Sequence, residues 1–153
     1  MGYIVAGYTY GSDGDISDVN NGDSDYWIVK LDSLGNKIWD KTLGGSESDR
    51  AKSIQQSSDG GYIIAGNTSS NDGDISYMNN FWSDYWIVKL DEYGNKIWDK
   101  TFGGSELDIA YSIQETFDGN YVIAGSTQSI DGDLSDGNYD SDCWVIKIEG
   151  SQN

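Results

Sequence analysis

The chain has 153 residues, a length typical of one domain; 37% of them are apolar and 13% are aromatic. Its formal charge is −17, from 26 acidic and 9 basic residues, and it contains no histidine. This surface argues against nucleic acid and anionic membranes as partners, because phosphate binding needs clustered Lys and Arg. No apolar run approaches the length of a membrane span, so we expect no membrane insertion. Without histidine, neither a His-dependent triad nor a His-ligated zinc site can form within one chain.

One segment recurs along the chain and governs its organisation. Equivalent, evenly spaced tyrosines open three copies, at Tyr3, Tyr62 and Tyr121. Equivalent tryptophans follow at nearly the same spacing, at Trp27, Trp86 and Trp144. A fixed period, here of roughly 60 residues, predicts one supersecondary unit that is duplicated and stacked, so that each copy buries the hydrophobic faces of its neighbours. We therefore expect the three tryptophans to be buried between sheets.

The complete middle copy predicts four strands in chain order. Residues 51–56 (AKSIQQ) form strand A and residues 61–68 (GYIIAGNT) form strand B, with an Asp-Gly hairpin turn between them. After a long polar loop, residues 84–91 (DYWIVKLD) form strand C, and residues 95–101 (NKIWDKT) form strand D. Strands B and C are apolar on both faces, as in a sheet that is covered on two sides. No segment has a convincing helical period, so the chain is predicted to be all-β.

The three copies make a single repeat domain over residues 1–153. Residues 1–44 are a partial copy with strands B, C and D, residues 45–103 are the complete copy, and residues 104–153 are a partial copy with strands A, B and C. Four-stranded antiparallel meanders with two apolar faces favour stacking as β-propeller blades, with strand A innermost and strand D outermost. A β-trefoil or a β-prism is the alternative, although both need twelve strands and three whole repeats.

Two strings, GGSESDRAKSIQQSSDGGYIIAGNT and DYWIVKLDEYGNKIWDKTFGG, resemble the tandem β-propeller repeats of secreted and cell-surface bacterial proteins. The resemblance covers essentially the whole chain. It implies a propeller fold and an extracellular or cell-surface location, although MGYIVAG reads as a strand and not as a signal peptide. It also implies a non-catalytic scaffold or binding module, since such arrays mostly have no assigned chemistry. A carbohydrate-binding, lectin-like propeller is the alternative, and a propeller of the glycoside hydrolase kind is less expected.

The loop between strands B and C carries the best candidate for a metal site. Each copy has an Asp-x-Asp-x-Ser pattern and a closing Asp, and oxygen donors at alternate positions are typical of calcium loops. The candidate calcium ligands are Asp13, Asp15, Ser17 and Asp25 in the first copy, Asp72, Asp74, Ser76 and Asp84 in the second, and Asp131, Asp133, Ser135 and Asp142 in the third. The alternative is a network of Asx turns, in which the same carboxylates cap backbone N–H groups.

Few residues break the repeat, which matters because a single binding or catalytic site needs a single set of side chains. Phe81 and Trp82 stand where the first copy has Gly22 and Asp23. Two aromatic residues in a loop suggest contact with a glycan or a protein ligand, or packing against the next copy. No pair of carboxylates is singled out by spacing, so no catalytic residues are predicted.

The number of copies predicts association with itself. Propellers usually close with four to eight blades, and this chain offers one complete copy and two partial ones. Uncovered sheet faces rich in Tyr, Ile and Trp should be buried by association. We expect a homo-oligomer, with a two-fold dimer of six blades favoured over a trimer.

Overall fold

The computed structural model describes residues 2–78, 82–134 and 140–150. These residues contain ten β-strands and no helix, so the prediction of an all-β chain is confirmed. The strands are β1 (Tyr3–Thr9), β2 (Asp25–Leu31), β3 (Lys37–Leu43), β4 (Asp49–Gln56), β5 (Tyr62–Thr68), β6 (Asp84–Leu90), β7 (Lys96–Phe102), β8 (Asp108–Glu115), β9 (Tyr121–Thr127) and β10 (Asp142–Ile148). Within the described residues, no helix could serve as a membrane span.

The strands form three separate antiparallel sheets, each of which follows chain order. The outer sheets have three strands each, β1-β2-β3 and β8-β9-β10, and the middle sheet has four, β4-β5-β6-β7. Strand A corresponds to β4 and β8, strand B to β1, β5 and β9, strand C to β2, β6 and β10, and strand D to β3 and β7. Among the described residues there is no closed barrel of the kind that the β-trefoil alternative requires.

The turn between strands C and D shows how the local sequence sets each hairpin. In the middle copy, Asp91 Oδ1 accepts hydrogen bonds from the backbone N–H groups of Tyr93 and Asn95, both at 2.8 Å. Gly94 has a φ of 86°, a conformation that a residue with a Cβ rarely adopts. Asp32 makes the same two contacts in the first copy. An Asx turn with one left-handed glycine therefore fixes where strand C ends and strand D begins.

The middle sheet is covered on both faces, and all of β5 and β6 is buried. We call its contact with the β1–β3 sheet the first seam and its contact with the β8–β10 sheet the second seam. The core of the first seam includes Tyr26, Ile28, Tyr62, Ile64, Trp86, Val88 and Leu90. The core of the second seam includes Ile63, Ala65, Tyr85, Ile87, Ala110, Tyr121 and Ile123. Alternate residues of β5 and β6 thus serve opposite seams, which explains why these strands are apolar on both faces.

The two seams repeat one contact. Tyr26 Oη donates a hydrogen bond to the Trp86 carbonyl at 2.9 Å, and the two rings are 4.5 Å apart. In the second seam, Tyr85 Oη donates to the Trp144 carbonyl at 3.1 Å, with the rings 4.7 Å apart. Each seam therefore joins the tyrosine-bearing face of one sheet to the tryptophan-bearing face of the next.

The three equivalent tryptophans differ in burial because of their places in this stack. Trp86 is fully buried in the first seam, as predicted. Trp144 is half-buried against the second seam, and Trp27 is half-buried on the outer face of the β1–β3 sheet. The expectation of three buried tryptophans is therefore correct only for the middle copy: among the described residues, no sheet covers the face that carries Trp27, and no fourth strand lies beside Trp144 as β7 lies beside Trp86.

We predict that Trp86→Ala lowers the free energy of unfolding by about 3–5 kcal/mol, as expected for removal of a large buried aromatic side chain. Trp27→Ala is the matched control and should cost roughly half as much. Both indoles donate to an equivalent aspartate, Trp86 to Asp99 at 3.0 Å and Trp27 to Asp40 at 3.1 Å. The difference between the variants thus reports burial alone. Urea denaturation at a dilution where light scattering shows a monomer measures both values, and equal costs there would contradict the assignment of faces.

Candidate functional site

The predicted calcium loop of the middle copy reaches across the first seam. Asp72 Oδ1 accepts a hydrogen bond from the Ser46 N–H at 2.7 Å, and Asp74 Oδ2 accepts one from the Gly44 N–H at 3.1 Å. A Cβ added to Gly73 would lie 2.3 Å from the Gly44 carbonyl oxygen, so the loop approaches the neighbouring backbone too closely for a side chain there. The Asp-x-Asp pair therefore caps the Gly-Gly-Ser segment that connects β3 to β4.

The second seam repeats this arrangement. Asp131 Oδ1 accepts from the Ser105 N–H at 2.7 Å, and Asp133 Oδ2 accepts from the Gly103 N–H at 3.1 Å. In the first copy, Asp13 and Asp15 are exposed, and nothing lies within 4 Å of a Cβ added to Gly14. The same sequence makes this contact only where a preceding sheet supplies the backbone donors.

Beneath the first of these loop contacts lie two buried carboxylates. Asp25 and Asp49 are both completely buried. Asp25 Oδ2 accepts from the Asn21 N–H at 2.7 Å, and Asp49 Oδ2 accepts from the Gly45 N–H at 2.8 Å. Their Oδ1 atoms are buried and accept no hydrogen bond. Orphaned acceptors of this kind are rare in folded proteins and call for an explanation.

Gly44 shows that the two carboxylates share one small space. A Cβ added to Gly44 would lie 2.4 Å from Asp25 Oδ1 and 2.7 Å from Asp49 Oδ2. In the second seam, a Cβ on Gly103 would lie 2.4 Å from Asp84 Oδ1 and 2.6 Å from Asp108 Oδ2. The pairing of two buried carboxylates around a glycine is thus part of the repeat.

The electrostatics of the first pair favour protonation. The pKa of Asp25 is raised to about 6, chiefly by burial and in smaller part by the charges of Asp49 and Asp74, while the hydrogen bond from the Asn21 N–H lowers it. Burial also raises the pKa of Asp49. Hydrogen bonds from the Gly45 N–H and the Ser70 hydroxyl to Asp49 Oδ2 offset part of this rise.

The structure groups the predicted calcium ligands differently from the sequence pattern. It places Asp74 of the second copy near Asp25 of the first, across the seam, and Asp49 joins them. The hydroxyls of Ser17 and Ser76 bind elsewhere: Ser17 Oγ accepts from Lys37 Nζ at 2.7 Å, and Ser76 Oγ donates to Asp99 Oδ1. In the part of the chain that the structure describes, no group of three or more His, Cys, Asp or Glu side chains could hold a metal ion. The calcium site stays a prediction.

The remaining predicted site residues lie at the chain's third copy and in the aromatic loop. Asp142 is exposed, because no further copy covers it as the next copy covers Asp25. Ser135 and Phe81 lie outside the described residues. Trp82 is 60% exposed, which leaves its ring accessible to a ligand.

Asp49 and Asp108 are the functional-site residues that the sequence reasoning missed. Each follows a Gly-Gly pair by a few positions, and the two occupy equivalent places in consecutive copies. Their recurrence was visible, but they fall at the start of a strand and not in the acidic loop. Only the fold brings them beside the closing aspartates.

The outer sheets each leave one face uncovered by the rest of the chain. The outer face of the β1–β3 sheet carries Tyr3, Val5, Trp27, Val29 and Leu31, of which Tyr3 is 60% and Val5 50% exposed. The outer face of the β8–β10 sheet carries Val122, Ala124, Cys143, Val145 and Lys147, of which Val145 is 58% exposed.

A comparison with protein-family models and with curated protein sequences finds no match to this chain.

We predict that Asp25→Asn stabilises the fold at neutral pH. The folded-state pKa of about 6 lies above the ordinary value of 3.8, so the folded state binds this proton more tightly than the unfolded chain does. The tighter binding of this proton stabilises the folded state. The stabilisation is fully present below pH 3.8 and is lost as the pH rises through about 6. The neutral amide removes this loss, and the free energy of unfolding at pH 7.5 should rise by about 1–3 kcal/mol.

The measurement is urea denaturation of both proteins from pH 3.5 to 8, with the exposed Asp13→Asn as the control that leaves the profile unchanged. The difference between wild type and Asp25→Asn should grow with pH and level off above about 6. The opposite result has a clear meaning. Destabilisation by Asp25→Asn, together with a wild-type melting temperature that falls in chelator, would favour a bound calcium ion over a proton.

Proposed function

We propose that the chain is a non-catalytic scaffold module whose sheets are β-propeller blades and which completes its stack by binding a second copy of itself. The proposal rests on one observation: the same contact between neighbouring sheets occurs twice within the chain, once in the first seam and once in the second. By the resemblance of the repeat, the module works outside the cell or on its surface.

The two uncovered faces are the two halves of a third seam. Tyr3, Val5, Trp27 and Val29 are the equivalents of Tyr62, Ile64, Trp86 and Val88, which the first seam buries. Val122, Ala124 and Val145 are the equivalents of Ile63, Ala65 and Ile87, which the second seam buries. A second chain that offers its β8–β10 face to the β1–β3 face would continue the stack with the packing already used twice.

Cys143 makes this third seam weaker than the internal ones. It stands where Tyr26 and Tyr85 donate a hydrogen bond to a tryptophan carbonyl in the first and second seams. A thiol is smaller than a phenol and a weak hydrogen-bond donor, so both the ring packing and the hydrogen bond are lost. The association should therefore depend on concentration, whereas the internal seams are held by the chain.

The third seam would join two different faces, the β8–β10 face of one chain and the β1–β3 face of the next, and this limits the number of chains in a closed assembly. Two chains supply six sheets and close both free faces at once, which lies within the four to eight blades that propellers use. Three chains supply nine sheets and exceed that range, so a trimer ranks second.

A carbohydrate-binding module remains the second candidate function, and the 60% exposed ring of Trp82 favours it.

We predict that the chain forms a dimer whose dissociation on dilution can be measured by light scattering coupled to size-exclusion chromatography. Val5→Glu and Val145→Glu, on opposite free faces, should each give a monomer of 16.8 kDa, because a charge would be buried in the new seam. Leu34→Glu is the control: Leu34 is 85% exposed and lies outside the sheet faces, so the variant should remain a dimer.

A wild-type mass of 16.8 kDa that does not change with concentration would overturn the self-association. A dimer that survives Val5→Glu and Val145→Glu but dissociates in another surface variant would place the contact elsewhere.

A further inference from the structure

A cluster of two tyrosines and two cations occupies one end of the first seam. Tyr8 and Tyr10 lie at the end of β1, and Arg50 and Lys52 lie at the start of β4. Arg50 Cζ is 5.3 Å from the Tyr8 ring centroid and 5.9 Å from that of Tyr10, and Lys52 Nζ is 5.6 Å from that of Tyr8. The two tyrosine rings meet edge to face at 5.6 Å. The cluster is therefore a compact surface group of two cations in contact with two aromatic rings.

The cluster breaks the repeat at all four positions. The second seam has Asn67, Ser69, Ile109 and Tyr111 at the equivalent places. Residues next to them in the chain are unchanged: Thr9, Asp49 and Ala51 correspond to Thr68, Asp108 and Ala110. The second seam thus shows that the fold does not need these four side chains. Positions that depart together from an otherwise faithful repeat point to a role at a single site.

The cations of the cluster have no carboxylate partner within the described residues, although the chain carries 26 acidic side chains. Of the nine basic residues, Lys37, Lys89, Lys96 and Lys147 form an ion pair with an aspartate, and Lys30, Lys41 and Lys100 share with the cluster the absence of one among the described residues. Arg50 donates to Tyr10 Oη at 3.2 Å and to Ser24 Oγ at 3.5 Å, so two neutral hydroxyl groups hold its guanidinium in place. Tyr8 is 42% and Tyr10 65% exposed, so the cluster is open to a ligand.

We propose that this cluster binds a sugar acid, a single carboxylate carried on a sugar ring. The guanidinium of Arg50 presents donors in a planar fork that matches a carboxylate, and Lys52 adds a second positive charge beside it. The exposed ring of Tyr10 offers an apolar face for the sugar and a hydroxyl for its polar edge. A polyanion is disfavoured by the overall charge of −17, whereas a ligand with one negative charge meets mainly the local field of the cluster. This site goes beyond the scaffold function and does not depend on it, since the first seam lies within one chain.

The experiment is titration of the full chain with N-acetylneuraminic acid and with glucuronic acid, followed by calorimetry and by ligand-observed NMR. The reference ligands are glucose, which has the ring without the charge, and acetate, which has the charge without the ring. Binding of at least one sugar acid, at least tenfold tighter than glucose and acetate, is the expected result.

The variants take their residues from the second seam. Arg50→Ile should weaken binding of the sugar acid about tenfold or more, because it removes the charge-assisted hydrogen bonds. Tyr10→Ser should weaken the sugar acid and leave acetate unchanged. Lys100→Gln removes the same charge on β7, away from the cluster, and should have no effect. Unchanged melting temperatures for Tyr10→Ser and Lys100→Gln would show that the fold is intact.

Four results would overturn the proposal. The first is that neither sugar acid binds. The second and third are that glucose, or acetate, binds as tightly as the sugar acid. The fourth is that Lys100→Gln weakens binding of the sugar acid as much as Arg50→Ile does, which would indicate a general effect of charge. A change in dimer mass without a change in sugar binding would bear on the scaffold function alone.

Discussion

The stacking of one sheet on the next is the interaction on which the rest of the structure depends. Strands β5 and β6 have no exposed residue, so the middle sheet is stable only with a neighbour on each face. Its hairpins are local, but a single meander with two apolar faces would expose its core to water. Stability in such an array is set by contacts between nearest neighbours, and each seam is one unit of it. The first seam supplies the hydrophobic stabilisation that a single sheet lacks, by burying Tyr26, Ile28, Trp86 and Val88.

The polar end of each seam sets the register between sheets, which apolar packing alone would leave loosely defined. The side chains of Asp72 and Asp74 accept hydrogen bonds from the backbone N–H groups of Ser46 and Gly44, and both donors lie in the connection that leaves the β1–β3 sheet. A sheet displaced along the seam would leave the N–H of the buried Gly44 without its acceptor, at a cost of about 1–3 kcal/mol, whereas water can replace the acceptor of the exposed Ser46 N–H. The same contacts bring three acidic side chains close together, so the register is gained at the expense of electrostatic repulsion near Asp25.

The sequence was sufficient for the strands, because alternation and turn chemistry act within a few residues. Asp91 and Gly94 define their hairpin without help from the rest of the chain. The partners of the acidic loops could not be predicted, since Asp74 meets a backbone that lies 30 residues earlier and belongs to another copy. The burial of Trp27 was overestimated for a related reason: the repeat makes it equivalent to Trp86, but equivalence in sequence does not supply the neighbouring sheet. The Tyr8 and Arg50 cluster was visible only as isolated departures from the repeat until the fold brought them together.

The seam has a direction, and this bears on how the length of such a protein can change. Each seam joins a tyrosine-bearing face to a tryptophan-bearing face, as Tyr26 does with Trp86 and Tyr85 with Trp144. Insertion or deletion of one whole copy therefore leaves the same two faces at the ends of the stack and creates no new kind of contact. Heterologous contacts of this type form a ring where the rotation closes and an open fibre where it does not. The angle between adjacent sheets, and not the chemistry of the terminal faces, would then determine which copy numbers give a closed particle and which polymerise.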